Sequence, residues 1–143
     1  MAYVRAWIHA VWGTKNREPY LTGDIRRKVI NHIRENAMKK QIYIDSINGY
    51  TDHLHCLFGL SADISIAKTL QLIKGESAYW INKEKVTGMK FEWADEYFAV
   101  SVSESDLERV RSYINNQEEH HRKKSFNEEV DEFLKQHGFQ RQG

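Results

Sequence analysis

The chain has few of the residues that cross-link or interrupt a fold. Cys56 is the one cysteine among 143 residues, so no disulfide can form within the chain. That predicts a reducing, cytoplasmic setting. Pro19 is the one proline, and there is no Gly/Ser linker, repeat or low-complexity tract, so residues 1–143 are expected to form a single domain. No apolar run approaches the roughly 18 residues that a membrane helix needs. "MAYVRAWIHAVW" carries Arg5 and His9 inside its apolar stretch, unlike a signal peptide. Net charge is only +1, so composition alone gives no argument for nucleic acid. Positive charge is local instead, at Arg26–Lys28, Lys39–Lys40 and His120–Lys124.

What is present is clear periodicity. "AYVRAWIHAVW" alternates, with Val4, Ala6, Ile8 and Ala10 on one face and Tyr3, Arg5, Trp7 and His9 on the other. From Asp24 the period becomes helical through Ile25, Val29, Ile33 and Ala37. "IYIDSING" and "DHLHCLFGL" read as a hairpin, and "ISIAKTLQLIKGESAYWINK" as a second helix through Ile66, Leu70, Ile73 and Trp80. "EYFAVSVS" is a further strand. Ser105–Glu108 reads as a capping box opening a helix that runs past Gln117, and Ser125–Glu128 as another before a short helix ending near Gly138. The order β-α-β-β-α-β followed by two helices predicts an α+β, ferredoxin-like antiparallel sheet. Its crossover helices lie on one face, and a helix of the C-terminal segment, about 105–138, is expected over the other, which would otherwise stay open.

The third strand poses the chemical question. Leu54, Cys56, Phe58 and Leu60 point one way, and His53, His55, Leu57 and Gly59 the other. Side chains two apart on a strand are roughly 7 Å apart at Cα, close enough for two imidazoles to converge on one ion. The bland alternative is two polar residues on a wet sheet face. If Arg5, Trp7 and His9 share that face, they resemble a surface on which bases stack and phosphates pair with cations. Further on, Tyr113 and Gln117 are four apart on one helix, with His121 extending the stripe. This pairs an oxygen nucleophile with an amide ligand. A structural zinc site using His53, His55 and Cys56 fails on geometry, because Cys56 points to the opposite face of the strand.

"HLH" matches the motif of HUH nucleases, and "YINNQ" matches the Tyr-x-x-x-Gln helix of their single-tyrosine transposases. "HAVWGTKNREPYL", "LIKGESAYWIN", "WADEYFAVSVS" and "YINNQEEHHRKKSFNEEVDEFLKQHGF" resemble the REP-associated branch in particular, and the resemblance runs over nearly the whole chain. It implies cleavage and rejoining of single-stranded DNA beside hairpins through a 5′-phosphotyrosine. Tyr113 is then the nucleophile, and His53, His55 and Gln117 are ligands of a divalent ion, Mg²⁺ or Mn²⁺. Mg²⁺ prefers oxygen ligands, so a His₂Gln set suits Mn²⁺ or a softer ion at least as well. Lys74, Arg122, Lys123 and Lys124, with Arg5, Trp7 and His9, are candidate DNA contacts. A homodimer is implied for insertion-sequence members, and whether Tyr113 then serves its own site or its partner's stays open. The alternatives are a domesticated nuclease that processes chromosomal repeat hairpins, or a ferredoxin-like module that binds nucleic acid without catalysis.

Overall fold

A computed structural model describes residues 3–121 and 124–138. The strands are β1 (Trp7–Thr14), β2 (Tyr43–Gly49), β3 (His53–Gly59) and β4 (Trp93–Val102). The helices are α1 (Gly23–Lys39), α2 (Ile66–Lys83), α3 (Leu107–Asn115), α4 (Gln117–His121) and α5 (Phe126–His137). The strands form one antiparallel sheet in the order β2-β3-β1-β4, the ferredoxin-like arrangement.

The two faces of the sheet separate as alternation requires. Ile8, Ala10 and Trp12 of β1 pair in register with Phe58, Cys56 and Leu54 of β3. These six join Val29, Ile33 and Ala37 of α1 and Leu70, Ile73 and Ile81 of α2 in the main core. Cys56 is buried there, and burial pushes its thiol up to about 12. In register on the opposite face are His9, Val11 and Gly13 against Leu57, His55 and His53. The histidines are therefore on the side away from α1 and α2, as the alternation predicts.

That second face is not open. Phe126, Val130 and Leu134 of α5 bury Val11, while Val110 and Ile114 of α3 bury Leu57. An apolar stripe on each C-terminal helix thus finds its partner on the sheet, and the histidines lie between the two contacts. Arg111 of α3 grips the Asp45 carboxylate of β2 with two hydrogen bonds of 2.9 and 2.8 Å. The C-terminal helices thus cover this face, as expected for the fold, and the alternative of an open surface carrying Arg5, Trp7 and His9 does not form, since His9 lies beneath them.

Two local expectations change as well. Ser105 lies in a 3₁₀ turn, and α3 starts after Asp106 with no side-chain cap. The helix also does not run unbroken past Gln117. It ends at Asn116 (φ −101°, ψ 24°) and restarts as α4. Two successive asparagines, which compete for backbone hydrogen bonds, account for the break. By contrast Ser125 caps α5 by accepting from the Glu128 N–H at 3.2 Å, and Gly138 closes that helix in the left-handed region (φ 73°).

Glycine tolerance separates two positions cleanly. A Cβ on Gly49, in the hairpin that leads into the histidine strand, would stand 2.0 Å from the His53 carbonyl oxygen. A Cβ on Gly75, inside α2, would meet nothing within 4 Å. Urea unfolding should therefore show Gly49→Ala losing about 3 kcal/mol, and Gly75→Ala gaining about 0.5–1 kcal/mol. Equal tolerance of both changes would contradict the packing of the hairpin.

Candidate metal centre and nucleophile

The β3 backbone sends His53 and His55 from the sheet toward a point where α4 and α5 also converge. The Nε2 atoms of His53, His55 and His121 lie 3.1, 3.0 and 3.2 Å from one oxygen, Oε1 of Glu129. The amide oxygen of Gln117 lies 3.1 Å from His53 Nε2 and 3.2 Å from His121 Nε2. His53, His55, Gln117 and Glu129 are all buried. The other carboxylate oxygen, Oε2 of Glu129, accepts a hydrogen bond from the Tyr113 hydroxyl. One carboxylate thus joins the histidine cluster to the tyrosine.

The outer nitrogens fix what the inner ones can do. His53 Nδ1 faces the Asp52 carboxylate at 2.9 Å, and His121 Nδ1 faces the Lys124 carbonyl at 2.7 Å. Neither partner can donate, so both Nδ1 atoms carry the proton and, in the neutral rings, both Nε2 atoms are bare. Bare imidazole nitrogens, an amide oxygen and a carboxylate then face each other. Such a knot of acceptors is stable in a dry interior only when a cation shares it, as protons on the rings or as a metal ion. Donors about 2.1–2.2 Å from one ion, at right angles, stand about 3.0 Å apart, close to the 3.0–3.2 Å from the three imidazole nitrogens to Glu129 Oε1, which are hydrogen-bond lengths as well. The one-atom-per-residue set of His53, His55 and Glu129 falls within 4.8 Å. The residues present therefore fit a divalent ion, and a nitrogen-rich set suits Mn²⁺ better than Mg²⁺.

Without an ion, protons would share the cluster instead. Burial would lower the pKa of His53, but the Asp52 and Glu129 carboxylates outweigh it and hold the ring above its ordinary value. Burial pushes His55 down to about 4. Burial alone would raise Glu129, yet its hydrogen bonds with His121, His53 and His55 pull it well below the carboxylate range. Tyr113 is driven well above an ordinary phenol, first by burial and then by the Glu129 charge, so its hydroxyl rests protonated.

Of the residues singled out in the sequence, the fold brings Tyr113, Gln117, His53 and His55 together. Their positioning is specific. Glu118 of α4 is bound by the buried Arg26 of α1, Tyr50 stacks on His121 (5.2 Å, 18°), and Phe126 stacks on His53 (4.2 Å, 3°). Glu129 escaped sequence reasoning, although a signal existed. Phe126, Glu129, Val130, Phe133 and Leu134 follow helical spacing, which puts a carboxylate inside an apolar stripe.

The candidate DNA contacts scatter. His9 is 6% exposed and lies beneath the C-terminal helices, beside His55. Trp7 packs beside Leu57, and Arg5 pairs with Glu104. Lys74 lies on α2, in the layer opposite the histidines, and donates to the Ala94 carbonyl at 2.8 Å. Lys124 holds Glu132 at 2.6 Å, and Arg122 and Lys123 lie outside the described residues.

A family model described as "Transposase IS200 like" matches residues 2–117. The chain belongs to that family. The HUH single-tyrosine resemblance read from "HLH" and "YINNQ" is thereby borne out. Among relatives of this IS200-like transposase is the ISDra2 transposase TnpA of Deinococcus radiodurans. It is 26% identical over 115 residues, covering 76% of this chain and 81% of that protein. A crystal structure of a proposed transposase from Deinococcus radiodurans R1 superposes with a TM-score of 0.66 at 23% identity, over 82% of this chain and 95% of its own. A REP-associated tyrosine transposase bound to a REP hairpin gives 0.64 at 16% identity, over 85% and 72%. At these identities the two structures support the fold. The family match stops at Gln117, so Glu129 lies beyond it.

The donor set predicts a ranking. Glu129 is the one anionic side chain among the five donors, so Glu129→Gln should weaken Mn²⁺ binding more than Gln117→Ala. Calorimetry should show losses of at least about tenfold for the former. A Glu129→Gln protein with wild-type Mn²⁺ affinity would remove Glu129 from the ligand set.

Proposed function

We propose that this IS200-like transposase cuts and rejoins single-stranded DNA beside hairpins with a divalent ion, and that residues 1–143 act as one catalytic domain. The observation that carries this reading is the shared carboxylate: Glu129 touches the Tyr113 hydroxyl with one oxygen and three imidazole nitrogens with the other. His53, His55, His121, Gln117 and Glu129 would hold the ion. When bound, it supplies charge neutralisation and polarisation at the scissile phosphate.

The step assigned to the protein is transfer of a phosphoryl group to Tyr113. Its Oη bonds to phosphorus, the bond from phosphorus to the 3′ oxygen breaks, and the phenolic proton passes toward Glu129. The products are a 5′-phosphotyrosine and a 3′ oxygen that takes up a proton. The phosphodiester energy is conserved, since a phenol with an ordinary pKa of about 10 leaves more readily than an alkoxide. The 3′-hydroxyl of another strand can therefore reverse the step and join ends without a nucleotide cofactor. The REP-associated neighbour is described as bound to a hairpin, which supports a hairpin substrate and the variant reading of a repeat-processing nuclease. A non-catalytic binding module gives no reason for a tyrosine hydroxyl aimed at a buried ligand cluster. Among the described residues no helix is long and apolar enough to cross a membrane, and we place the protein in the cytoplasm with its DNA.

We take Tyr113 to act in cis, a reading supported by the reach of its hydroxyl to Glu129 of the same chain; a homodimer would then not be needed to complete the site. Mixing His53→Ala and Tyr113→Phe proteins should then restore no cleavage, even when mixed dimers are shown to form. Recovery of cleavage in the mixture would establish exchange of α3 between subunits instead.

Tyr113→Phe deletes one oxygen and keeps the ring against its neighbours. This protein should bind Mn²⁺ and hairpin DNA, yet give no covalent protein–DNA adduct on a denaturing gel. An adduct formed by the phenylalanine variant would place the nucleophile elsewhere among the seven tyrosines.

A further inference from the structure

His9 shares the sheet face with His53 and His55, being directly opposite Leu57 in the β1–β3 register. Its Nε2 lies 2.9 Å from His55 Nδ1, and the two rings are 5.1 Å apart. Phe133 meets the His9 ring edge-on at 5.6 Å and Tyr113 at 6.3 Å, so it is confined by α5 and α3 as well as by the sheet. Nothing in the transposase chemistry above uses this buried imidazole.

The three ring ligands differ in what stands behind them. His53 and His121 are backed by oxygens that only accept, which leaves one tautomer for each. His55 is backed by another imidazole, which can accept or donate. With His9 protonated at Nε2, His55 must accept at Nδ1 and carry its own proton at Nε2, where it would bond to Glu129 and could not hold an ion. With His9 protonated at Nδ1, its bare Nε2 accepts from His55 Nδ1–H, and His55 Nε2 is free. The tautomer of His9 therefore decides whether His55 is a ligand.

We infer that His9 is a positioning residue that holds His55 in the Nδ1–H form by accepting that proton at its own Nε2. The inference rests on the metal-site reading proposed above, and it takes His9 from the DNA surface to the outer shell of the metal centre.

The test is ring-nitrogen NMR of ¹⁵N-histidine-labelled protein loaded with diamagnetic Zn²⁺, paired with Mn²⁺ calorimetry. Wild-type protein should show His55 protonated at Nδ1 and His9 unprotonated at Nε2. His9→Gln, whose amide oxygen can occupy the place of Nε2, should keep the His55 tautomer and retain Mn²⁺ binding. His9→Leu should weaken Mn²⁺ binding about 10- to 100-fold. A loaded wild type with His9 protonated at Nε2, or a folded His9→Leu protein with wild-type Mn²⁺ affinity, would overturn the inference. If His9→Leu does not fold, the wild-type tautomers and the His9→Gln protein decide the matter. Failure of the metal-site reading looks different: the wild type itself would bind neither Zn²⁺ nor Mn²⁺ at His53 and His55.

Discussion

A carboxylate taken out of water costs several kcal/mol unless positive charge or hydrogen bonds meet it. Glu129 is 3% exposed; the Tyr113 hydroxyl answers that requirement on one oxygen, and on the other three imidazole nitrogens answer it when they carry protons or share an ion. The apolar contacts of α5 with Val11 bring Glu129 to the histidines, and the histidines in turn make its burial tolerable. Packing of the last helix and assembly of the site are one event.

The sheet makes this possible by keeping two cores apart. Its Cys56 face closes with α1 and α2 into an aliphatic and aromatic core. The opposite face is covered by two short helices whose apolar contacts flank the polar cluster without filling it. A tyrosine on α3 and a glutamine on α4 can then approach the same point from different directions because the helix breaks at Asn116. The tyrosine is half-buried, and that burial with the adjacent carboxylate keeps it protonated.

The sequence carried part of this plainly. Strict alternation in "DHLHCLFGL" puts His53 and His55 on one face and Cys56 on the other, and a period-two pattern has only those two faces to choose from. Ser125 and Gly138 mark both ends of α5 because capping is a local matter. The break at Asn116 was less legible, since a pair of asparagines only weakens a helix and tertiary contacts decide whether it parts. That a C-terminal helix covers the second face was legible from the element order, but the contacts that seat it were not. Val11 and Leu57 are single apolar residues among polar ones, and their partners lie over fifty residues away in sequence. His9 looked like a DNA contact for the same reason: alternation gives the face, and only the fold says what lies on top of it.

Crystals grown with Mn²⁺, examined by anomalous scattering, test the account most directly. The prediction is one anomalous peak about 2.2 Å from His53 Nε2, His55 Nε2 and Glu129 Oε1, with Tyr113 on the far oxygen of the same carboxylate. A cluster without a peak at millimolar Mn²⁺, its imidazoles still bonded to Glu129, would contradict it.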